Sequence, residues 1–149
     1  MKQIICILLT LLLTNCKADD SNTPDCSAVL CAAFNLNIKI INTETNSNYV
    51  IDNDLDKSDI EIKNNENEPI NFNLVALPTS TFNGSIIFFA TASNYPTISI
   101  KNLDDIVVSY TIIQPQTNEC CDFGTIENLV VDDYQFEFNS ETNRLIVYL

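Results

Sequence analysis

The sequence predicts an all-β domain, an antiparallel β-sandwich of about seven to nine strands behind an N-terminal signal helix. Three observations carry this. Short runs alternate apolar and polar residues with period two, the mark of a half-buried strand. Polar, Asn- and Asp-rich turns separate those runs at short intervals. No segment past the first fifteen residues sustains a helical period, apart from a single turn expected at 27–33.

Taken in order, Phe34-Asn35-Leu36-Asn37-Ile38-Lys39-Ile40 alternates without a break. A polar turn at 43–48 leads to Tyr49-Val50-Ile51, and the acidic stretch 52–59 precedes a strand over 59–63. The cluster 64–69 is a loop by composition, and Ile70-Asn71-Phe72-Asn73-Leu74 alternates again before Pro78. Asn83-Gly84 is the strongest hairpin signal, joining a strand over 79–82 to one over 85–91. Strands follow at 97–101 and 106–113, then a loop at 115–119 and the pair Cys120-Cys121. The chain ends in a hairpin, with Tyr134, Phe136 and Phe138 on one face, a turn at 139–143, and a strand over 144–149. With only Gly84 and Gly124 available, Asn and Asp must supply most left-handed turn positions.

The first sixteen residues decide the compartment. Lys2 precedes an apolar run from Ile4 to Leu13, and polar residues follow at once. That run has the length of a signal-peptide core and is too short to cross a ~30 Å hydrocarbon layer as a helix. The tetrad Leu13-Thr14-Asn15-Cys16 resembles the lipobox of bacterial lipoproteins, with Asn15 in place of the usual small residue. The resemblance implies that residues 1–15 are removed as a signal peptide and that Cys16 becomes an acylated first residue, carrying diacylglycerol and palmitate-type chains. Lys17-Ala18-Asp19-Asp20 is similar to the short acidic signals that send some lipoproteins to the outer face of the outer membrane. A second reading, cleavage after Ala18, leaves a soluble secreted product. On the first reading residues 16–25 form a flexible tether spanning at most ~30 Å, and residues 26–149 are one domain.

Twenty acidic residues against seven basic ones give a net charge of −13. Removing the leader takes away only Lys2 and makes the charge more negative. Such a surface disfavours nucleic acid and anionic lipid as partners. Of six cysteines, Cys6 leaves with the leader and Cys16 takes the lipid. The four that remain, Cys26, Cys31, Cys120 and Cys121, read as two disulfides of an exported domain. A bond between adjacent Cys120 and Cys121 is strained, so Cys26 and Cys31 are expected to bridge to that pair, with either partner assignment. Each bridge closes a loop of about 90 residues, worth roughly 4–5 kcal/mol in the chain-entropy model. Were 120–121 in a strand, one bridge would enter the core and the other lie outside. A four-thiolate zinc site lacks its usual CxxC spacing.

The chain contains no histidine, which removes serine–histidine and cysteine–histidine catalysis and the commonest general base. Asp52, Asp54, Asp56 and Asp59 resemble the start of an EF-hand calcium loop, but Lys57 and Lys63 stand where its glycine and bidentate glutamate belong. A solvated loop is the main reading there, and no metal or cofactor is expected. Asp104-Asp105 and Asp132-Asp133 could be cast as glycosidase acids, though paired aspartates before strands more often form turns. Tyr49, Tyr95, Tyr110, Tyr134 and Tyr148 are candidates for a binding face or for core and rim packing.

The strand count and layout resemble immunoglobulin-like or transthyretin-like domains on bacterial surface lipoproteins. The resulting expectation is a lipid-anchored outer-membrane or cell-surface protein, attached through Cys16. It would carry a non-enzymatic binding or scaffolding β-domain with an unknown protein or glycan partner. The alternatives are an accessory carbohydrate- or protein-binding subunit of an outer-membrane assembly, and a small secreted hydrolase.

Overall fold

The computed structural model describes residues 26–31, 34–91, 95–113 and 119–149. The leader 1–15 with its expected signal helix, the acyl acceptor Cys16, the tether 16–25 and residues 115–118 of the expected loop lie outside the described residues.

Among the described residues, ten strands form two open sheets. They are β1 (Asn35–Asn42), β2 (Ser47–Asn48), β3 (Ile60–Lys63), β4 (Phe72–Leu74), β5 (Ile86–Phe89), β6 (Thr97–Ile100), β7 (Ile106–Ile113), β8 (Thr125–Val131), β9 (Gln135–Asn139) and β10 (Arg144–Tyr148). The larger sheet runs β4-β5-β1-β10-β9, with β2 paired to the end of β1, and the smaller runs β3-β6-β7-β8. Alternation sends one side of each strand into a shared apolar cluster. Leu36, Ile38 and Ile40 of β1 and Leu145 and Val147 of β10 meet Ile98, Ile106 and Val108 of the smaller sheet there, all fully buried. Burying each such side chain stabilises the fold by roughly 1.5–3 kcal/mol. The all-β class is thus realised.

Several details depart from expectation. The sheets are not antiparallel throughout: β1 and β10 run parallel, Ile38 beside Leu145 and Ile40 beside Val147. Both strands alternate cleanly, so their patterns fit either direction, and with most of the chain between them no short turn dictates an antiparallel return. Tyr49–Asp52, left unassigned by its short apolar run, is a single helical turn, α1. Asn48 explains this: its side chain accepts from the Ile51 N–H at 3.1 Å and caps the turn.

Residues 79–82 form turns, and the hairpin instead joins β4 to β5 through the long loop 75–85. A tight I′ turn needs two left-handed residues, and here only Gly84 is left-handed (φ 72°) while Asn83 is not. Strand β8 was not expected. Its alternation is broken by an irregularity opposite 109–111 and by Asn128 at φ 51°, so the buried residues fall at Ile126, Leu129 and Val131. The expected reliance on Asn and Asp holds: among the described residues, all seven left-handed non-glycine positions are one or the other.

The disulfides join Cys26 to Cys120 and Cys31 to Cys121, with Cα separations of 5.3 and 5.2 Å. Cys120 and Cys121 sit in a turn, not a strand, and Cys26 and Cys121 are exposed. Neither bridge enters the core: with 120–121 in a turn, the strand alternation that could have sent one inward does not apply. Beside them Phe34 stacks on Phe123 at 6.2 Å.

Candidate binding face

The acidic loop turns its carboxylates inward on its own backbone. Asp56 caps the 3-10 turn Lys57–Asp59, accepting from the Ser58 N–H and hydroxyl at 2.6 Å each, while its own N–H donates to Asp59 at 3.1 Å. The Lys101 ammonium donates to Asp59 at 2.8 Å. The bonds from Ser58 hold the Asp56 carboxyl below the ordinary carboxylate range, and Lys101, then the Asp56 backbone, does the same for Asp59. Ser47 donates a short hydrogen bond to Asp52. Among the described residues no three acidic or cysteine side chains converge as a metal site would require.

The paired aspartates gather at one end of the molecule. Asp104, Asp133 and Asp105 all act on Tyr134, whose phenol is raised first by burial and then by their charge. Asp133 takes a left-handed turn conformation (φ 63°), the turn-forming role expected of it. The five tyrosines do not form one patch. Tyr110 is 4 % exposed and packs in the core, where burial pushes its phenol up to about 12, whereas Tyr95 is exposed.

A more coherent surface is the outward side of the larger sheet. Because successive residues point to opposite faces, burying Leu36, Ile38, Phe88 and Leu145 turns their neighbours outward. Register places Asn73, Ile87, Asn37, Arg144 and Asn139 in one row across five strands. Lys39, Ile146 and Glu137 form the next row, and Phe89 pairs with Asn35 on the other side. Four of these ten residues are asparagines, of which Asn37 is buried, and Phe89 among them is 49 % exposed. Two hollows mark it. One of about 370 Å³ is lined by Asn35, Asn71, Asn73 and Phe89. The other, about 630 Å³, is lined by Glu137, Asn139, Thr142, Arg144 and Ile146. A smaller apolar pocket of about 200 Å³ lies at α1 and the 75–85 loop, between Val50, Leu55, Leu74 and Pro78.

Arg144 is the chain's one arginine. Its guanidinium lies 5.9 Å from the Phe82 ring centroid, a cation–π distance. The two ion pairs among the described residues are Lys63–Glu61 and Lys101–Asp59, so no described carboxylate pairs with it. Its Nε is buried and lacks a hydrogen-bond partner, as do the amide oxygens of neighbouring Asn37 and Asn143. Buried polar atoms are normally satisfied, so three together mark this spot.

Sequence reading missed this face because it singled out charged and aromatic residue types rather than strand parity. The readable signal was the outward set Asn35, Asn37, Asn71 and Asn73, which sits opposite the apolar residues in the same alternating runs. No protein-family model, no curated protein and no solved structure matches the chain.

Proposed function

We propose that the protein is an exported lipoprotein, held at the outer membrane by acyl chains on Cys16, whose domain 26–149 binds a partner without catalysing a reaction. The observation that carries this is the double disulfide between the N-terminal segment and the 120–121 turn. Such bonds persist in oxidising, non-cytoplasmic compartments. No helix among the described residues is long and apolar enough to cross a membrane, so a lipid on Cys16 supplies the attachment in this reading. The likeness to immunoglobulin-like or transthyretin-like domains rests on the two-sheet layout alone.

The binding role draws support from the amide-rich outer face, with its exposed Phe89 and its two hollows. That same face favours the accessory, carbohydrate-binding variant of the reading. Hydrolysis by paired carboxyls needs one of them held in its acid form at neutral pH. Asp56 and Asp59 are both held below the ordinary carboxylate range, the opposite direction from such an acid. Intact-mass analysis of the membrane fraction tests the anchoring, comparing the natural protein with Cys16→Ala. Acyl mass on the former and release of the latter are expected. An unacylated natural protein, or a membrane-bound variant, refutes it.

A further inference from the structure

We propose that the hollow at Arg144 binds a sugar carrying a single carboxylate, which deepens the reading of this face as a binding surface. The chain has twenty acidic residues and one arginine, yet no described carboxylate pairs with that arginine. Glu137, which lines the same hollow, makes no ion pair with Arg144 either; its carboxylate acts on the Tyr148 phenol, which is raised first by burial and then by Glu137. A guanidinium fork matches a carboxylate through two parallel N–H···O bonds, a geometry that an ammonium cannot supply.

The Nε of Arg144 is buried and unpartnered, so a carboxylate seated in the hollow meets the outer edge of the guanidinium, where the two terminal NH2 groups offer parallel donors. Around it stand the groups a sugar ring uses. Asn139 accepts from the Thr142 N–H and hydroxyl at 2.9 and 3.0 Å, which orients its amide N–H donors. The Phe82 ring, outside the residues that line the hollow, lies 5.9 Å from the guanidinium carbon and steadies it by a cation–π contact. The hollow, about 630 Å³, falls within the size of small-ligand sites. The charge of −13 repels extended polyanions, but one carboxylate in contact with Arg144 lies well inside the ~8 Å screening length. That selects a sugar with a single acidic group.

The sole arginine gives one Arg Nε–H signal in an amide-type NMR spectrum, identified by its loss in Arg144→Gln. With the purified full-length protein, D-glucuronate is expected to shift that signal, while D-glucose leaves it in place and acetate shifts it far less. Arg144→Lys, which keeps the charge, is expected to weaken glucuronate binding about tenfold or more, with the remaining spectrum reporting an intact fold. No shift at about 10 mM glucuronate, equal shifts from glucose or acetate, or undiminished binding by Arg144→Lys overturns the proposal. Acylation of Cys16 is read separately by mass, so failure of this site and failure of the anchoring reading are told apart.

Discussion

Replacing Gly84 with alanine tests how the 75–85 loop, Asn48 and α1 hold one another. Gly84 has φ 72°, and a Cβ there would lie 2.7 Å from both Asn48 Oδ1 and Ile51 Cγ1. A left-handed conformation costs an L-residue about 1–2 kcal/mol. The contact also displaces Asn48, whose Oδ1 caps α1 and whose Nδ2 donates to the Gly84 carbonyl at 3.2 Å. Losing that cap costs about 1 kcal/mol, and losing the buried hydrogen bond about another. Alanine recovers about 0.5 kcal/mol by stiffening the unfolded chain. The net expectation for Gly84→Ala is a loss of about 3 kcal/mol, lowering Tm by roughly 10 °C for a domain of this size. Thermal and urea unfolding followed by circular dichroism measure it. Asn48→Ala is expected to cost about 2 kcal/mol alone. In that background Gly84→Ala is expected to cost about 2 kcal/mol less than in the natural protein, because the displaced side chain is already gone. A Tm drop under about 2 °C, or additive single effects, refutes this account of the junction.

Four further expectations follow from the same structure. Removing one disulfide by Cys31→Ser with Cys121→Ser should cost only about 2 kcal/mol, because the Cys26–Cys120 bond already closes the long loop. Removing both should cost roughly 7 kcal/mol, and denaturant titration under non-reducing conditions separates the two cases. Tyr110 has a folded pKa near 12 against about 10 when unfolded. Between these values the unfolded state binds fewer protons, so stability is full below pH ~10 and falls as pH rises toward 12; Tyr110→Phe should remove this share of the alkaline loss. The lowered carboxyls of Asp56 and Asp59 give stability that is present above the ordinary aspartate pKa of about 3.9 and lost as pH falls through their folded values. Asp59→Asn should flatten the acid limb of the urea midpoint against pH. Finally, Asn128→Val should cost about 1–2 kcal/mol through its left-handed backbone, while Asn128→Gly should cost little.

Strands whose apolar residues keep period two were legible, and β1 and β7 lie close to where alternation puts them. Where a single polar side chain redirected the backbone, alternation misled. Asn48 turned Tyr49-Val50-Ile51 into a helical turn by satisfying the Ile51 N–H, a local bond that apolar content does not reveal. Asn128 shifted the parity of β8, so Ile126 and Leu129 share the buried side at a spacing of three, where a strand's period is two. The pairing of β1 with β10 was beyond reach for another reason: partner choice between distant strands depends on the whole sheet, not on either run. The binding face was half legible. Its outward amides follow from strand parity, but the meeting of Phe82 with Arg144 depends on the course of a long loop, and turn residues alone do not fix that course.

The double staple also has a mechanical meaning. Once Cys26 is bonded to Cys120, a pull on the N-terminal segment no longer travels through residues 27–119. Tension crosses the sulfur bridge and continues along β8, β9 and β10, while β1 through β7 stay slack inside a closed covalent ring. Arg144 stands at the start of β10, so a load between a tethered N-terminus and a ligand held at that residue would stretch only the short run from 120 to 144. At about 3.4 Å per residue the domain could lengthen by less than ~100 Å before covalent bonds bore the force. Most of its core would remain folded meanwhile.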